Sequence, residues 1–345
     1  MQLFSPLASD YPQPASEFER QVFDFCQKWK DGQSHFEFMT SGSTGLPKPI
    51  LISREAMIAS ANMTGQWLEL KPNDLALLCL PVNYIAGVMV LVRALELKLN
   101  LILVEPSVNP LKDLAPISIQ LASFVPNQWY TLLKEGVDLN NFFAKSKGIL
   151  LGGAGLSPWL LDQTSAMQFP VYLTYGMTET VSHVAFQSLS MQHTNCFELL
   201  PSIEFEVNAN SCACFKGEVT NSKWIETNDI VERIDVNHFI LFGRADRVIN
   251  SAGRKIQAEQ VERQLGVLIT DRSFFVSSLP DESLGQKAVL FVEGLELIDE
   301  QRFRFTSLES WEIPKQVVYL RKFETTASGK MDRLKSVALY LNAQK

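Results

Sequence analysis

The order of apolar runs predicts an α/β chain: a large N-terminal domain, residues 1–243, of mainly parallel sheets covered by helices plus an antiparallel β region, then a small C-terminal α+β domain, residues 244–345. Three observations carry that expectation. Strand-like and helix-like runs alternate from Pro49 to about Thr174. From about Phe197 they give way to short alternating stretches between turn residues, and a compact block holding both element types follows Gly243.

Ala15–Trp29 reads as a helix with Phe18, Val22, Phe23 and Phe25 on its apolar face. Phe36–Met39 and Pro49–Ile52 read as strands flanking a glycine-rich loop. Ser53 suits the N-cap of a helix over Arg54–Leu70, followed by a buried strand at Leu75–Leu80, a helix at Gly87–Leu97 and a strand at Leu101–Glu105. Ile117–Val125, Gly148–Leu151 and Val171–Thr174 continue the strands, with helices at Asn127–Lys134 and Ser157–Met167. Ile203–Val207, Cys212–Val219 and Phe239–Phe242 form the antiparallel region. The last block reads as strand Arg247–Asn250, helix Ala258–Leu265, strands Phe274–Ser277 and Ala288–Glu293, then Pro314–Leu320 and a polar tail.

The 345 residues are 46% hydrophobic, enough for a full core. With 31 basic against 38 acidic side chains the net charge is −7, which predicts no general attraction to nucleic acid or an anionic membrane. A polyanionic ligand would need cations placed locally. Five cysteines, Cys26, Cys79, Cys196, Cys212 and Cys214, are odd in number and lack framework or zinc spacing, which predicts a reduced, cytoplasmic protein. The N-terminus has neither the basic nor the apolar segment of a secretory leader. Leu75 to Val92 is uncharged and reaches the length of a membrane span. Pro81, Asn83 and Gly87 interrupt it, so strand, turn and helix are expected, with no membrane insertion.

The most informative stretch is Thr40-Ser41-Gly42-Ser43-Thr44-Gly45-Leu46-Pro47-Lys48. Hydroxyls beside glycine offer donors to phosphate oxygens, glycine lets backbone N–H groups approach closely, and Lys48 adds a point charge. The run fails the Walker A pattern, because no Ser or Thr follows Lys48 and Pro47 and Pro49 favour an extended path over a helix start. On these residues alone, a Ser/Gly-rich hairpin turn remains open.

Four further segments follow: Tyr175-Gly-Met-Thr-Glu-Thr180, Thr227-Asn-Asp-Ile230, Gly243-Arg-Ala-Asp-Arg-Val-Ile-Asn-Ser-Ala-Gly-Arg-Lys-Ile256 and Ala327-Ser-Gly-Lys-Met-Asp-Arg333. In this order the five segments resemble the adenylate-forming superfamily of acyl- and aryl-CoA ligases, peptide-synthetase adenylation domains and luciferases, from about residue 36 to the C-terminus. The resemblance implies an enzyme that uses ATP and Mg²⁺ to activate a small carboxylic acid and passes the acyl group to coenzyme A. A carrier-protein thiol as acceptor, or a relative without catalysis, remains open.

By the same resemblance, Thr40, Ser41, Gly42, Ser43, Thr44, Gly45 and Lys48 would hold the β- and γ-phosphates. Thr178 would touch the α-phosphate, and Glu179 would bind Mg²⁺, a hard cation suited to oxygen ligands. Tyr175, Gly176 and the Gly152-Gly153-Ala154 turn would frame the adenine; Asp229 and Arg244 would bind the ribose. Lys330 would bridge the acid and the α-phosphate; as a single residue it reads sooner as a solvated surface lysine, and Ser328-Gly329 before it and Asp332-Arg333 after it reverse that. The small C-terminal domain would be mobile, turning about Asp246, with Gly253 facing the CoA channel in its second position. Arg247 stands where many relatives have a second Asp.

For the acyl pocket, Leu80-Pro-Val-Asn-Tyr-Ile-Ala-Gly87 matches a pocket-lining stretch in which Tyr84 replaces a His common in relatives. Gly87, Arg93, Ser107, Asn109, Ser182 and His183 are the other candidates. Arg93 among such groups would suit a second carboxylate, yet from sequence alone it reads equally as a helix-surface cation. The lead-in before the loop is shorter than in typical relatives, so strand edges would be left open or covered by a second subunit, a possible homodimer.

Overall fold

The computed structural model describes residues 2–39, 49–325 and 331–344. In the first part of the chain, β1 (Gln2–Phe4) precedes α1 (Glu17–Lys30), and β2 (His35–Met39) pairs antiparallel with β3 (Pro49–Ser53). Ser16 caps α1 by accepting from the Glu19 amide at 3.2 Å, with acids in the first turn and lysines in the last. Phe18, Val22, Phe25 and Trp29 recur at helical spacing and are buried. Ser53 caps α2 (Arg54–Trp67) through the Ala56 amide, as expected.

The βα rhythm continues with β4 (Leu75–Leu78), α3 (Ile85–Glu96), β5 (Asn100–Leu103), β6 (Leu121–Phe124), α4 (Pro126–Lys134), α5 (Asn140–Phe143), β7 (Gly148–Leu151), α6 (Pro158–Ser165) and β8 (Val171–Gly176). Strands β5, β4, β6, β7 and β8 lie side by side and parallel. Their apolar runs are unbroken because both faces are covered. Successive residues alternate between two cores. Leu78, Leu101, Leu103, Leu121 and Leu150 join the cluster beneath α1, α2 and α3, whereas Leu77, Ile102, Ala122, Ile149 and Leu151 join the one beneath α4, α5 and α6.

The expected antiparallel region is part of this same sheet. β9 (His183–Ser188), β10 (Phe197–Leu199), β11 (Glu204–Val207), β12 (Cys212–Lys216), β13 (Ile225–Arg233) and β14 (His238–Arg244) extend it to twelve strands in the order β1-β5-β4-β6-β7-β8-β9-β10-β14-β13-β12-β11. β8 is the switch, pairing parallel with β7 and antiparallel with β9. β9, β10 and β13 escape the sequence reading: β10 is three residues long, β9 is apolar without alternation, and β13 carries few apolar residues.

A second sheet holds β15 (Val248–Ser251), β16 (Arg254–Gln257), β17 (Phe274–Asp281), β18 (Gly285–Glu293) and β19 (Gln316–Leu320), with α7 (Ala258–Leu265) after β16 and α8 (Arg333–Ala343) at the end. Its clusters draw only on residues from Ile249 onward. Where a polar tail was expected there is a helix, α8, capped by Asp332 through the Lys335 amide at 3.0 Å. Ser336 is its one fully buried residue, so its apolar stripe is too thin to read from sequence.

The bidentate contact of Arg333 with Glu262, at 2.5 and 3.0 Å, ties α8 to α7, and Glu262 also accepts from the Val276 amide at 2.7 Å. Glu262→Ala should strand Arg333 and loosen α8 by about 2–3 kcal/mol, less than a fully enclosed pair because Arg333 keeps 26% exposure. Hydrogen exchange on the whole protein should then show α8 amides about thirty- to a hundredfold faster, with the large sheet unchanged. Unchanged α8 exchange would remove this pair from the account.

Candidate active site

In open α/β sheets ligands settle beyond the carboxyl ends of the parallel strands, and many of the described sequence candidates lie there. β4 runs out through Leu80 and Pro81 to Tyr84, which sits half-buried at the start of α3. β7 runs into the exposed turn at Gly153 and Ala154. β8 ends in Tyr175-Gly176 and a tight turn, Thr178–Thr180, that presents Glu179 to solvent with Thr178 half-buried. Two glycines here answer to close approach: a Cβ on Gly176 would fall 1.9 Å from the Ser182 carbonyl oxygen, and one on Gly87 2.3 Å from that of Pro81. The first lets the β8 end fold against β9; the second lets α3 start directly over the pocket-lining stretch.

Tyr175 is enclosed by Phe197, Phe215 and Phe239, with ring centroids 5.4–5.7 Å away, and is 7% exposed. Its hydroxyl donates to Asp229 at 2.6 Å. Burial, reinforced by the Asp229 carboxylate, pushes the phenol well above its ordinary range, so it remains a donor. The ring is packed as core, and its hydroxyl orients Asp229. Across the strand pair, Asp229 lies opposite Arg244, whose Nη1 is 3.4 Å from Asp229 Oδ1. Arg244 is engaged more tightly with Asp246, at 2.9 and 2.7 Å, which lowers the Asp246 pKa and raises that of Arg244.

The second cluster centres on Arg93. Far from being a surface cation, it is 2% exposed. Its Nε donates to Thr64 Oγ1 at 3.2 Å and its Nη2 to Ser182 Oγ at 3.2 Å; Nη2 also lies 3.3 Å from His183 Nε2, itself 2.8 Å from Thr64 Oγ1. Among the described residues no carboxylate pairs with it. Burial pulls the Arg93 pKa down to about 9, which still leaves it charged at neutral pH. Burial and the facing guanidinium hold His183 well below its usual value, so the imidazole is neutral. Arg93 is thus a buried cation whose partners among the described residues are neutral.

Thr64 was not visible in the sequence: a threonine inside a helix gives no signal there, and only folding brings it beside Arg93. Ser107 and Asn109 do not join this cluster. The Ser107 carbonyl accepts from Gln128 at 2.9 Å, and Asn109 is bonded to Glu135 and to the Leu111 amide. Gly253 sits at the exposed tip of the β15–β16 hairpin. Thr40, Ser41, Gly42, Ser43, Thr44, Gly45, Lys48 and Lys330 lie outside the described residues.

A groove of about 580 Å³, lined by Asn208, Glu226, Asn228, Asn250 and Lys255 among others, opens on the face of β13 opposite Asp229 and contains none of the candidates. Among the described residues no three metal-ligating side chains converge. Glu179, exposed in the turn after β8, is the carboxylate that would hold a magnesium ion together with substrate phosphates, which suits an ion that keeps waters and takes few protein ligands. All five cysteines are free, and no helix among the described residues is long and apolar enough to cross a membrane.

The chain matches the family model described as AMP-binding enzyme over residues 19–210. It is 25% identical over 358 residues to 2-succinylbenzoate–CoA ligase of Listeria monocytogenes, covering 96% of this chain and 74% of that protein. The crystal structure of an acyl-CoA synthetase (AMP-forming)/AMP-acid ligase II-like protein from Dyadobacter fermentans is similar at 37% identity and a TM-score of 0.65, over 95% of this chain and 96% of the other. O-succinylbenzoate coenzyme A synthetase from Bacillus subtilis, solved with ATP and magnesium ion, shares the fold at a TM-score of 0.76 and 22% identity, over 87% of this chain and 69% of that one.

Arg93 costs the ligand-free protein stability, because its charge is desolvated without an ion pair. Arg93→Met should leave the melting temperature of the ligand-free protein equal to or above that of wild type. A fall of several degrees would show that the neutral groups around Arg93 already compensate its burial.

Proposed function

This chain belongs to the AMP-binding enzyme family, and we propose that it is an ATP-dependent acid–CoA ligase, converting O-succinylbenzoate, ATP and CoA to O-succinylbenzoyl-CoA, AMP and pyrophosphate in menaquinone biosynthesis. The observation that carries the choice of acid is Arg93. A buried guanidinium with no acid beside it among the described residues fits a substrate with one carboxylate to react and another to be read, and a site of this kind rejects analogues lacking the charged group. The Listeria relative's name points the same way.

A carboxylate is a poor acyl donor, since its charge repels nucleophiles and its oxygen leaves badly. Attack of that oxygen on the α-phosphorus of ATP forms an acyl–O–P bond as the bond to pyrophosphate breaks; attack of the CoA sulfur on the acyl carbon then forms the thioester as AMP leaves. Both steps concentrate negative charge, so the protein's contribution is chiefly electrostatic. In this reading Thr40–Gly45 and Lys48 hold the β- and γ-phosphates, Thr178 the α-phosphate, and Asp229 with Arg244 the ribose. Mg²⁺ held at Glu179 would neutralise phosphate charge. Lys330 bridges acid and α-phosphate in the first step. Residues 244–345 then turn about Asp246 to bring Gly253 toward the CoA channel.

Free cysteines suit a cytoplasmic enzyme. A homodimer is part of the proposal, since β1 is a sheet edge bearing exposed Leu3 and, just beyond it, Leu7; sedimentation showing only monomer at micromolar concentration would remove it.

Incubation of the pure protein with ATP, Mg²⁺, CoA and O-succinylbenzoate, followed by mass spectrometry, should yield O-succinylbenzoyl-CoA and AMP. Adenylate without thioester would exclude free CoA as acceptor, and no pyrophosphate would exclude this acid. In the same assay Lys330→Ala should abolish adenylate formation yet still make thioester from pre-formed adenylate; equal loss of both steps would sink the two-position reading.

A further inference from the structure

The fork of Arg93 makes five N–H donors, and the structure accounts for three of them. Nε goes to Thr64, and the two protons of Nη2 go to Ser182 and His183. Because Nη2 can only donate, His183 Nε2 accepts there, which assigns the single imidazole proton to Nδ1. The two Nη1 protons have no acceptor among the described residues. Among the described residues that leaves the Nη1 edge of the guanidinium unengaged, and the other donors decide which way that edge faces.

Thr64 is the group on which this orientation converges. Its one hydroxyl oxygen lies within hydrogen-bond reach of Arg93 Nε, of His183 Nε2 at 2.8 Å and of the Ser60 carbonyl at 2.9 Å, one turn back on the same helix. The hydroxyl proton is shared between Ser60 and His183, leaving the oxygen lone pair for Arg93. Arg93 stands on α3 and His183 on β9, so Thr64 is where α2 locks two side chains from different elements into one geometry. A long arginine without such a lock loses rotamer entropy each time it binds.

We infer that Thr64 is the positioning residue of the second-carboxylate site: by accepting from Nε and holding His183 Nε2 in place as an Nη2 acceptor, it turns the Arg93 guanidinium so that Nη1 faces the ligand. The ligand class this selects is a dicarboxylate, in which one carboxyl is activated while the other meets Nη1. The inference rests on the reading of Arg93 given above, and Thr64 touches no reacting atom.

The test uses the full-length enzyme with O-succinylbenzoate and with the same keto acid lacking the ring carboxylate. Thr64→Val keeps the shape and removes the oxygen; Thr64→Ser keeps the oxygen. The ratio of kcat/KM for the diacid to that for the monoacid should fall at least tenfold in Thr64→Val, through KM for the diacid, with KM for ATP unchanged. In Thr64→Ser it should stay within about threefold of wild type. Equal loss on both acids, or an unchanged ratio in Thr64→Val, would overturn the positioning role. A wild-type ratio near one would instead overturn the second-carboxylate reading itself.

Discussion

The carbonyl oxygen of Ser182 lies where any side chain on Gly176 would begin, and the rest of the site depends on that approach. It lets β8 end against the start of β9, so that a strand paired in parallel on one side turns into an antiparallel hairpin on the other. Three consequences follow from one missing Cβ. Tyr175 is set beside Asp229, the Thr178–Thr180 turn is held at the sheet's carboxyl edge, and Ser182 and His183 are delivered to Arg93. Two clusters with different chemistry, one acidic and one basic, are therefore spaced by a single short hairpin.

Much of this was legible in the residues. Gly148–Leu151 and Ala258–Leu265 appear with the bounds read from sequence, because local propensity and burial agree there. The union of the parallel and antiparallel parts into one sheet was not legible, since strand pairing is a long-range property that periodicity does not carry. The site divides along the same line. Asp229, Arg244 and Asp246 sit in recognisable segments and are found together, whereas Ser107 and Asn109 are bonded to α4 and its C-terminal end instead. Thr64 was missed because its significance lies in a contact across 29 residues of chain with Arg93 and 119 with His183.

The electrostatics are arranged against the bulk charge. A net −7 offers nothing to a polyanionic substrate, so attraction has to come from individual cations held in low dielectric. Arg93 is such a cation, buried among neutral partners. Arg244 differs: it is tied to two carboxylates, Asp229 and Asp246. The same residue type thus meets two different environments, one with carboxylates and one without them among the described residues.

The central strands have no polar face, and this bears on how the chain finds its register. In a half-exposed strand a slip by one residue throws apolar groups into water and is rejected at once. A slip of β4 would merely exchange one buried set for another, placing leucine where Ala76 now packs. Solvent cannot detect that error; only volume can. Misaligned forms of this sheet would be compact, dry and slow to repair, so fidelity during folding rests on the few small residues that refuse a larger neighbour.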